Sequence, residues 1–146
     1  MRNSLSIIIL ILTALCHSSC SRTPEPIPFG KDACEFCKMT IMDQKFGAEI
    51  VTAKGKILKF DSAECLLDAL KQDASNSSSA DTRLVIDYSN PGNLIDVKNA
   101  YFLLDKTVHS PMGGHLAAFN SSEAAGEYKK SNDGVIHSWE DVKKIR

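Results

Sequence analysis

A six-residue pattern occurs twice in this chain and limits the folds that the chain can adopt. Residues 59–64 (KFDSAE) align with residues 118–123 (AFNSSE) at a constant offset of 119 − 60 = 59 residues. In both segments an apolar run ends on Phe, an Asx residue follows, and Glu stands three positions after the Asx. This arrangement is a variant of the capping box that begins a helix. The pattern therefore predicts two strand–helix units with helix N-caps at Asp61 and Asn120.

Strands precede both predicted helices. The segments 46–52 and 57–60 are separated by a Lys-Gly-Lys turn, which predicts a β-hairpin. Further strands are predicted at 83–88, 100–104 and 135–139, with a second helix at 121–130. Two small strand-strand-helix units imply an α+β fold with antiparallel sheets, because neither unit is large enough to be stable alone. We expect two ββα-type halves forming an internal repeat, at about 32–80 and 81–146.

The N-terminal segment has the features of an export signal. A basic start is followed by an apolar run of about a dozen residues and then by small residues, a pattern shorter than the ~20 residues of a membrane-spanning helix. We interpret residues 1–19 as a lipoprotein signal peptide and Cys20 as the lipidated first residue of the mature chain. Simple cleavage without a lipid is the alternative. Residues 20–31 are rich in proline, which predicts a semi-rigid tether before a domain at 32–146.

Three sulfur-bearing side chains lie close together after the tether. Cys34, Cys37 and Met39 fall within six residues, and thiolate and thioether sulfur are soft donors that suit Cu(I). Met112 stands between a proline and two glycines, on a predicted turn where a core position is less expected. We predict that folding brings Met112 to the cysteine loop and closes a Cu(I) site.

Two histidines flank Met112 and are further candidate ligands. Imidazole nitrogen binds copper, so His109 and His115 can each add a donor to the predicted site. A histidine without a known partner is more often an ordinary surface or core residue. We therefore place both histidines behind the cysteines and methionines.

Other interpretations of the cysteine pair remain open. A structural zinc site needs two more Cys or His ligands, and the chain contains no second Cys-x-x-Cys. A thioredoxin-like redox pair is expected beside a βαβ unit, which the pattern around Cys34 and Cys37 does not predict. A disulfide is also compatible with an oxidising compartment. Cys65 lies off the apolar stripe of its helix, and we expect it to be a packing residue.

Together these segments resemble the NosL family of nitrous-oxide reductase accessory lipoproteins. The resemblance covers most of the mature chain, and its elements are the Cys-x-x-Cys-x-Met loop, the hairpin end at 60–62, the strand at 100–102, and the segments 110–113 and 117–119. It implies a fold of two ββα-type halves similar to organomercurial lyases. It also implies Cu(I) binding and copper delivery to the assembly machinery of a copper enzyme.

One residue departs from the family pattern. Lys38 stands between Cys37 and Met39, where Gly is usual in the family that the chain resembles. A positive charge beside the thiols is expected to lower their pKa values and to favour the thiolates. The substitution is also expected to change the geometry of the loop.

The sequence predicts a carrier rather than an enzyme. We expect a monomer in the cell envelope, anchored by its lipid to the inner or outer membrane and facing the periplasm. It would pass Cu(I) to a copper enzyme or its maturation proteins, which include a possible membrane transporter complex. The alternative is a thiol-dependent lyase or thiol-disulfide oxidoreductase that uses Cys34 and Cys37. A formal net charge of −1 offers no basic surface for nucleic acid.

Overall fold

The computed structural model describes residues 23–73, 78–79, 81–130 and 133–145. The predicted signal peptide and Cys20 lie outside these ranges. The described elements are, in chain order, β1 (Ala48–Val51), β2 (Ile57–Phe60), α1 (Ala63–Gln72), β3 (Thr82–Ile86), β4 (Leu94–Asp96), β5 (Tyr101–Leu104), β6 (Leu116–Phe119), α2 (Ser122–Tyr128), β7 (Val135–His137) and α3 (Trp139–Ile145). No helix among the described residues is long and apolar enough to cross a membrane.

The strands form two antiparallel sheets, which confirms the predicted α+β class. One sheet has the strand order β2-β1-β3-β4 and the other has the order β6-β5-β7. In the first sheet β1 lies between β2 and β3, and in the second sheet β5 lies between β6 and β7. The repeat is therefore ββαβ, one strand longer than predicted. Strands β3 and β4 lie in the first sheet, and the division into halves at about 32–80 and 81–146 stays a prediction.

The two helices that the repeat predicts, α1 and α2, begin with a serine cap, one position after the predicted Asx residues. The Ser62 hydroxyl accepts a hydrogen bond from the Cys65 N–H at 3.3 Å, and the Ser121 hydroxyl accepts one from the Ala124 N–H at 3.1 Å. Ser and Asp are comparable N-caps, so the local pattern does not choose between them. Asp61 is buried instead of capping the helix.

The main apolar cluster joins the two sheets. Phe60, Phe102 and Leu66 are fully buried in it, and Trp139 packs on Phe102 with ring centroids 5.6 Å apart. One continuous core thus ties α3 and the second sheet to the first half. Neither half buries this surface without the other, which is why the small units occur as a pair.

The segment predicted as a tether is packed on the domain from Ile27 onward. Ile27 is buried in the main cluster, and its Cδ1 atom lies 2.7 Å from the position that a Cβ atom would take at Gly47. The Glu25 N–H donates a hydrogen bond to the buried Glu49 carboxylate at 3.2 Å. Because Glu25 and Ile27 are both held against the domain, the predicted tether can act as a free spacer only before Glu25.

Candidate metal centre

Main-chain hydrogen bonds hold the cysteine loop in a tight turn. The Cys34 N–H donates to the Met39 carbonyl at 2.8 Å, and the Lys38 N–H donates to the Cys34 carbonyl at 3.0 Å. A further bond from the Glu35 N–H to the Lys59 carbonyl, at 2.8 Å, attaches the loop to β2. The loop is thereby fixed beside the start of α1, where β2 ends.

Lys38 occupies a backbone conformation that favours glycine. Its φ angle is 64°, in the left-handed region. A side chain in this region costs about 1–2 kcal/mol, which explains why Gly suits this position of the loop. The Lys38 ammonium is exposed and pairs with Glu35 at 2.9 Å. The expected effect of Lys38 on the thiols is not among the causes of their pKa shifts, which come from nearer groups.

Three cysteine sulfurs meet at the start of α1. The Sγ atoms of Cys34, Cys37 and Cys65 all lie within 4.8 Å of one another, and none of these cysteines is in a disulfide. Metal–sulfur bonds of about 2.3 Å place three sulfurs around one ion about 4 Å apart. The cluster can therefore enclose a single soft ion with little movement of its side chains.

Cys65 is a further candidate ligand that the sequence did not single out. Cys65 was expected to be a packing residue because it lies opposite the apolar stripe of its helix. In the structure the residues of the first turn of α1 are buried on all sides, since the loop that carries Cys34 covers the face opposite the stripe. That face carries Cys65, which is fully buried, as expected of a packing residue, and whose sulfur also joins the candidate cluster.

The cluster shares its protons unequally. The Cys65 thiol donates a hydrogen bond to Cys34, and this bond, with main-chain N–H groups of Asp61, Cys37 and Phe36, lowers the Cys34 pKa to about 5 against the opposing effect of burial. The same bond and burial raise the pKa of Cys65. Burial also raises the pKa of Cys37. The metal-free cluster thus holds one thiolate and two thiols at neutral pH, so full coordination of an ion releases protons.

Asp61 forms the polar wall of the cluster. Its main-chain N–H points at the Cys34 sulfur, and its carboxylate accepts the Met42 N–H. Burial, with a smaller contribution from the charge on Cys34, raises the pKa of the Asp61 carboxyl. This contact links the cysteine loop to the end of β2.

The methionines of this segment are largely exposed. Met39 is 50 % exposed, and Met42 is 66 % exposed. Ile41, between them, is fully buried and anchors the segment. Met39 is thus accessible to solvent, and its role as a ligand stays a prediction. Met42, the more exposed of the two, is not a packing residue.

The loop of Met112 lies against the first turn of α1. Met112 is at the tip of a turn closed by a hydrogen bond from the Gly113 N–H to the Ser110 carbonyl at 2.9 Å. The Met112 side chain is half-buried and packs against the apolar cluster that contains Cys34 and Cys65. The structure therefore brings the loop to the same region of the fold as the cysteines. Direct ligation by Met112 stays a prediction.

The two histidines differ in their surroundings. His109 is exposed. His115 is half-buried, has a φ angle of 60°, and its Nδ1 atom lies 2.7 Å from the Val108 carbonyl. A ring held in this way by one nitrogen presents the other, Nε2, as a possible ligand. His115 is therefore the stronger of the two candidates, and ligation by either stays a prediction.

Comparisons with known proteins agree with the sequence resemblance. The sequence profile described as NosL matches residues 27–145. The crystal structure of the copper chaperone NosL from Shewanella denitrificans superposes with a TM-score of 0.70 at 18 % identity, covering 86 % of this chain and 99 % of that chain. At this identity the superposition establishes the fold. No protein of curated function matches the chain by sequence.

Proposed function

Because the chain belongs to the NosL family, we propose that it is a Cu(I) carrier that delivers copper to another protein. The observation that carries the proposal is the cluster of three sulfurs within 4.8 Å of one another. The solved structure that it resembles is described as a copper chaperone, which agrees with this function and with the prediction that the chain is not an enzyme.

The donor set favours Cu(I) over zinc. Cys34, Cys37 and Cys65 supply three soft sulfurs, and we include Met39 of the same loop as a thioether ligand. Thiolate and thioether ligands select Cu(I), whereas structural zinc sites are closed by four Cys or His ligands. Among the described residues, no His, Asp or Glu side chain joins the three cysteines as a fourth clustered donor. The site therefore suits an ion that accepts low coordination numbers.

The burial of the ligands suits copper transfer. Cys34 and Cys65 are fully buried, while Cys37 is half-buried and Met39 is half-exposed. A partner protein can displace the outer ligands first, so that copper leaves by stepwise ligand exchange. We include Met112 and His115 as candidate ligands from the second half, with His109 behind them.

The alternative of a thiol-dependent enzyme is less compatible with the site. It requires a nucleophilic thiolate that can reach a substrate, and Cys34, the group that is ionised, is 0 % exposed. Cys37 is accessible, but its raised pKa keeps it protonated at neutral pH. The accessible cysteine is thus a weak nucleophile, and the cluster is better suited to hold an ion.

Location and partner follow from the sequence and are part of the proposal. We propose that Cys20 is lipidated after removal of residues 1–19, and that the domain faces the periplasm from the inner or outer membrane. The copper acceptor would be nitrous-oxide reductase or its maturation machinery, and the carrier would act as a monomer. Intact-mass analysis of the membrane fraction tests the anchor, since a mass without diacylglycerol contradicts it.

An anaerobic Cu(I) titration of the reduced mature domain against a chromophoric competitor tests the function. We expect one tight equivalent for the wild type, weakened in Cys37→Ser and Cys65→Ser. Met39→Ser should weaken binding, while Met42→Ser is the matched control and should not. A wild-type domain that leaves all copper with the competitor contradicts the carrier. Unchanged binding in Cys65→Ser would instead limit the ligands to the loop and Met112.

A further inference from the structure

Glu64 links the two halves of the protein beside the metal centre. Its side chain is fully buried, and its Oε1 atom accepts a hydrogen bond from the Ser110 hydroxyl at 2.5 Å and one from the Leu116 N–H at 3.4 Å. The Ser110 hydroxyl in turn accepts a hydrogen bond from the His115 N–H at 3.0 Å. One carboxylate thus fixes both ends of the segment 110–116, which carries Met112.

Helix capping does not account for this glutamate. The cap of α1 is Ser62, and the Glu64 carboxylate is directed to the other half of the protein. The repeat supplies an internal comparison, because Glu123 is the equivalent residue of α2. Glu123 is exposed, and its partners are its own main-chain N–H and the hydroxyl groups of Ser122 and Ser121, all local to the start of α2. Burial of Glu64 is therefore a property of the first half and not of the shared strand–helix motif.

The burial of Glu64 is costly for folding. Its Oε2 atom is buried without a hydrogen-bond partner among the described protein groups. A cavity of about 100 Å³ adjoins the residue, and its other walls include Leu104, Leu116 and Val142. A buried polar atom in apolar surroundings destabilises a protein unless it is satisfied. A carboxylate at this position thus needs an explanation other than stability.

We propose that Glu64 is a positioning residue for copper binding. It stands immediately before Cys65 in α1, so its bond to Ser110 fixes the loop of Met112 and His115 relative to one of the three cysteine sulfurs. Loss of a group that orients a metal ligand from outside the coordination sphere typically lowers metal affinity about 10–100-fold. The inference rests on the proposed Cu(I) function and adds that the second half contributes a ligand only while Glu64 holds its loop.

The first test needs no metal. Amide hydrogen exchange of residues 110–116 in the metal-free protein should accelerate in Ser110→Ala and in Glu64→Ala, because each removes one side of the bond. Glu64→Gln keeps an oxygen acceptor and should exchange like the wild type. Glu123→Ala is the control at the equivalent exposed position. Unchanged exchange in both Ser110→Ala and Glu64→Ala overturns the positioning role.

The second test measures coupling through Cu(I) affinity by anaerobic competition. Ser110→Ala should weaken binding about tenfold, as is typical when the support of a metal ligand is lost. It removes only one oxygen atom and remains informative if Glu64→Ala does not fold. Met112→Leu and His115→Gln are then combined with Ser110→Ala. Whichever of Met112→Leu and His115→Gln weakens Cu(I) binding on its own should weaken it little further when it is combined with Ser110→Ala.

The outcomes separate the two proposals. If neither Met112→Leu nor His115→Gln weakens binding, the loop supplies no ligand and the positioning role is overturned, while the cysteine carrier stands. A loss from Met112→Leu that is equal in both backgrounds also overturns only the positioning role. A wild type that binds no Cu(I) overturns both proposals.

Discussion

Replacement of Cys65 should change the protonation of Cys34, a residue 31 positions earlier in the chain (65 − 34 = 31). The thiol hydrogen bond from Cys65 is the largest cause of the lowering of the Cys34 pKa from an ordinary value of 9.0 to about 5. With a pKa of about 5, roughly 99 % of Cys34 is thiolate at pH 7. Cys65→Ala removes the donor, while burial continues to disfavour the charge. Because this bond is the largest of the four hydrogen bonds that lower the Cys34 pKa, we expect that pKa to rise by at least about one pH unit, which increases the fraction of neutral thiol at pH 7 about tenfold.

A pair of variants separates the hydrogen bond from the metal ligand. Cys65→Ser retains a hydroxyl that can donate to Cys34, so the Cys34 pKa should stay well below that in Cys65→Ala. Both variants lack the third sulfur, and both should weaken Cu(I) binding. The assay is an NMR titration of the metal-free, reduced protein with isotope-labelled cysteine Cβ atoms, which reports each thiol separately.

One result would refute this reasoning. If the Cys34 pKa is the same in Cys65→Ala as in the wild type, the main-chain N–H groups of Asp61, Cys37 and Phe36 hold the thiolate without help. The proton arrangement of the cluster would then be a property of the loop and the end of β2 alone. Equal pKa values in the Ser and Ala variants, both raised, would show that a hydroxyl cannot replace the thiol.

Three further predictions concern stability, and denaturant unfolding checks each of them. Lys38→Gly should stabilise the protein by about 0.5–1 kcal/mol, because relief of the left-handed backbone exceeds the greater unfolded-state freedom of Gly; a loss of stability would contradict the strain. Gly47→Ala should destabilise it by about 1–2 kcal/mol through contact with Ile27, whereas Gly126→Ala, on an open helix surface, should not; equal effects would argue against a packed segment at Ile27. Because the folded pKa of Cys34 is depressed, its stabilising contribution is present above the pKa of an unfolded thiol and is lost as the pH falls towards about 5. The wild type should therefore lose stability relative to Cys34→Ser over that range, and a constant difference would contradict the lowered pKa.

Local signals in the sequence were sufficient for most of the elements. The strand predicted at 57–60 has the same bounds in the structure, because a turn on one side and a helix cap on the other leave little freedom. The helix caps were one residue off at both repeats. Asp61 and Ser62 are equally good caps as isolated residues, and the choice depends on whether Asp61 is needed beside Cys34.

Pairing between distant segments was harder to predict. The third strand of each repeat was recognised as a strand, but its place at the edge of β1 or β5 depends on contacts across α1 or α2. The same limit applies to Glu64. Its spacing from Asp61 fitted a capping box, and only the approach of Ser110 shows that the carboxylate serves the other half.

The sequence by itself determined the chemistry of the candidate site. Two thiols and a thioether in one short loop specify soft donors wherever that loop lies, since softness is a property of the sulfur atoms. Only the tertiary structure decided that Cys65 is the third sulfur and that Cys34 carries the negative charge. Both results depend on burial and on hydrogen bonds between residues far apart in the chain. Such contacts exist only after the loop, the end of β2 and the first turn of α1 have packed together.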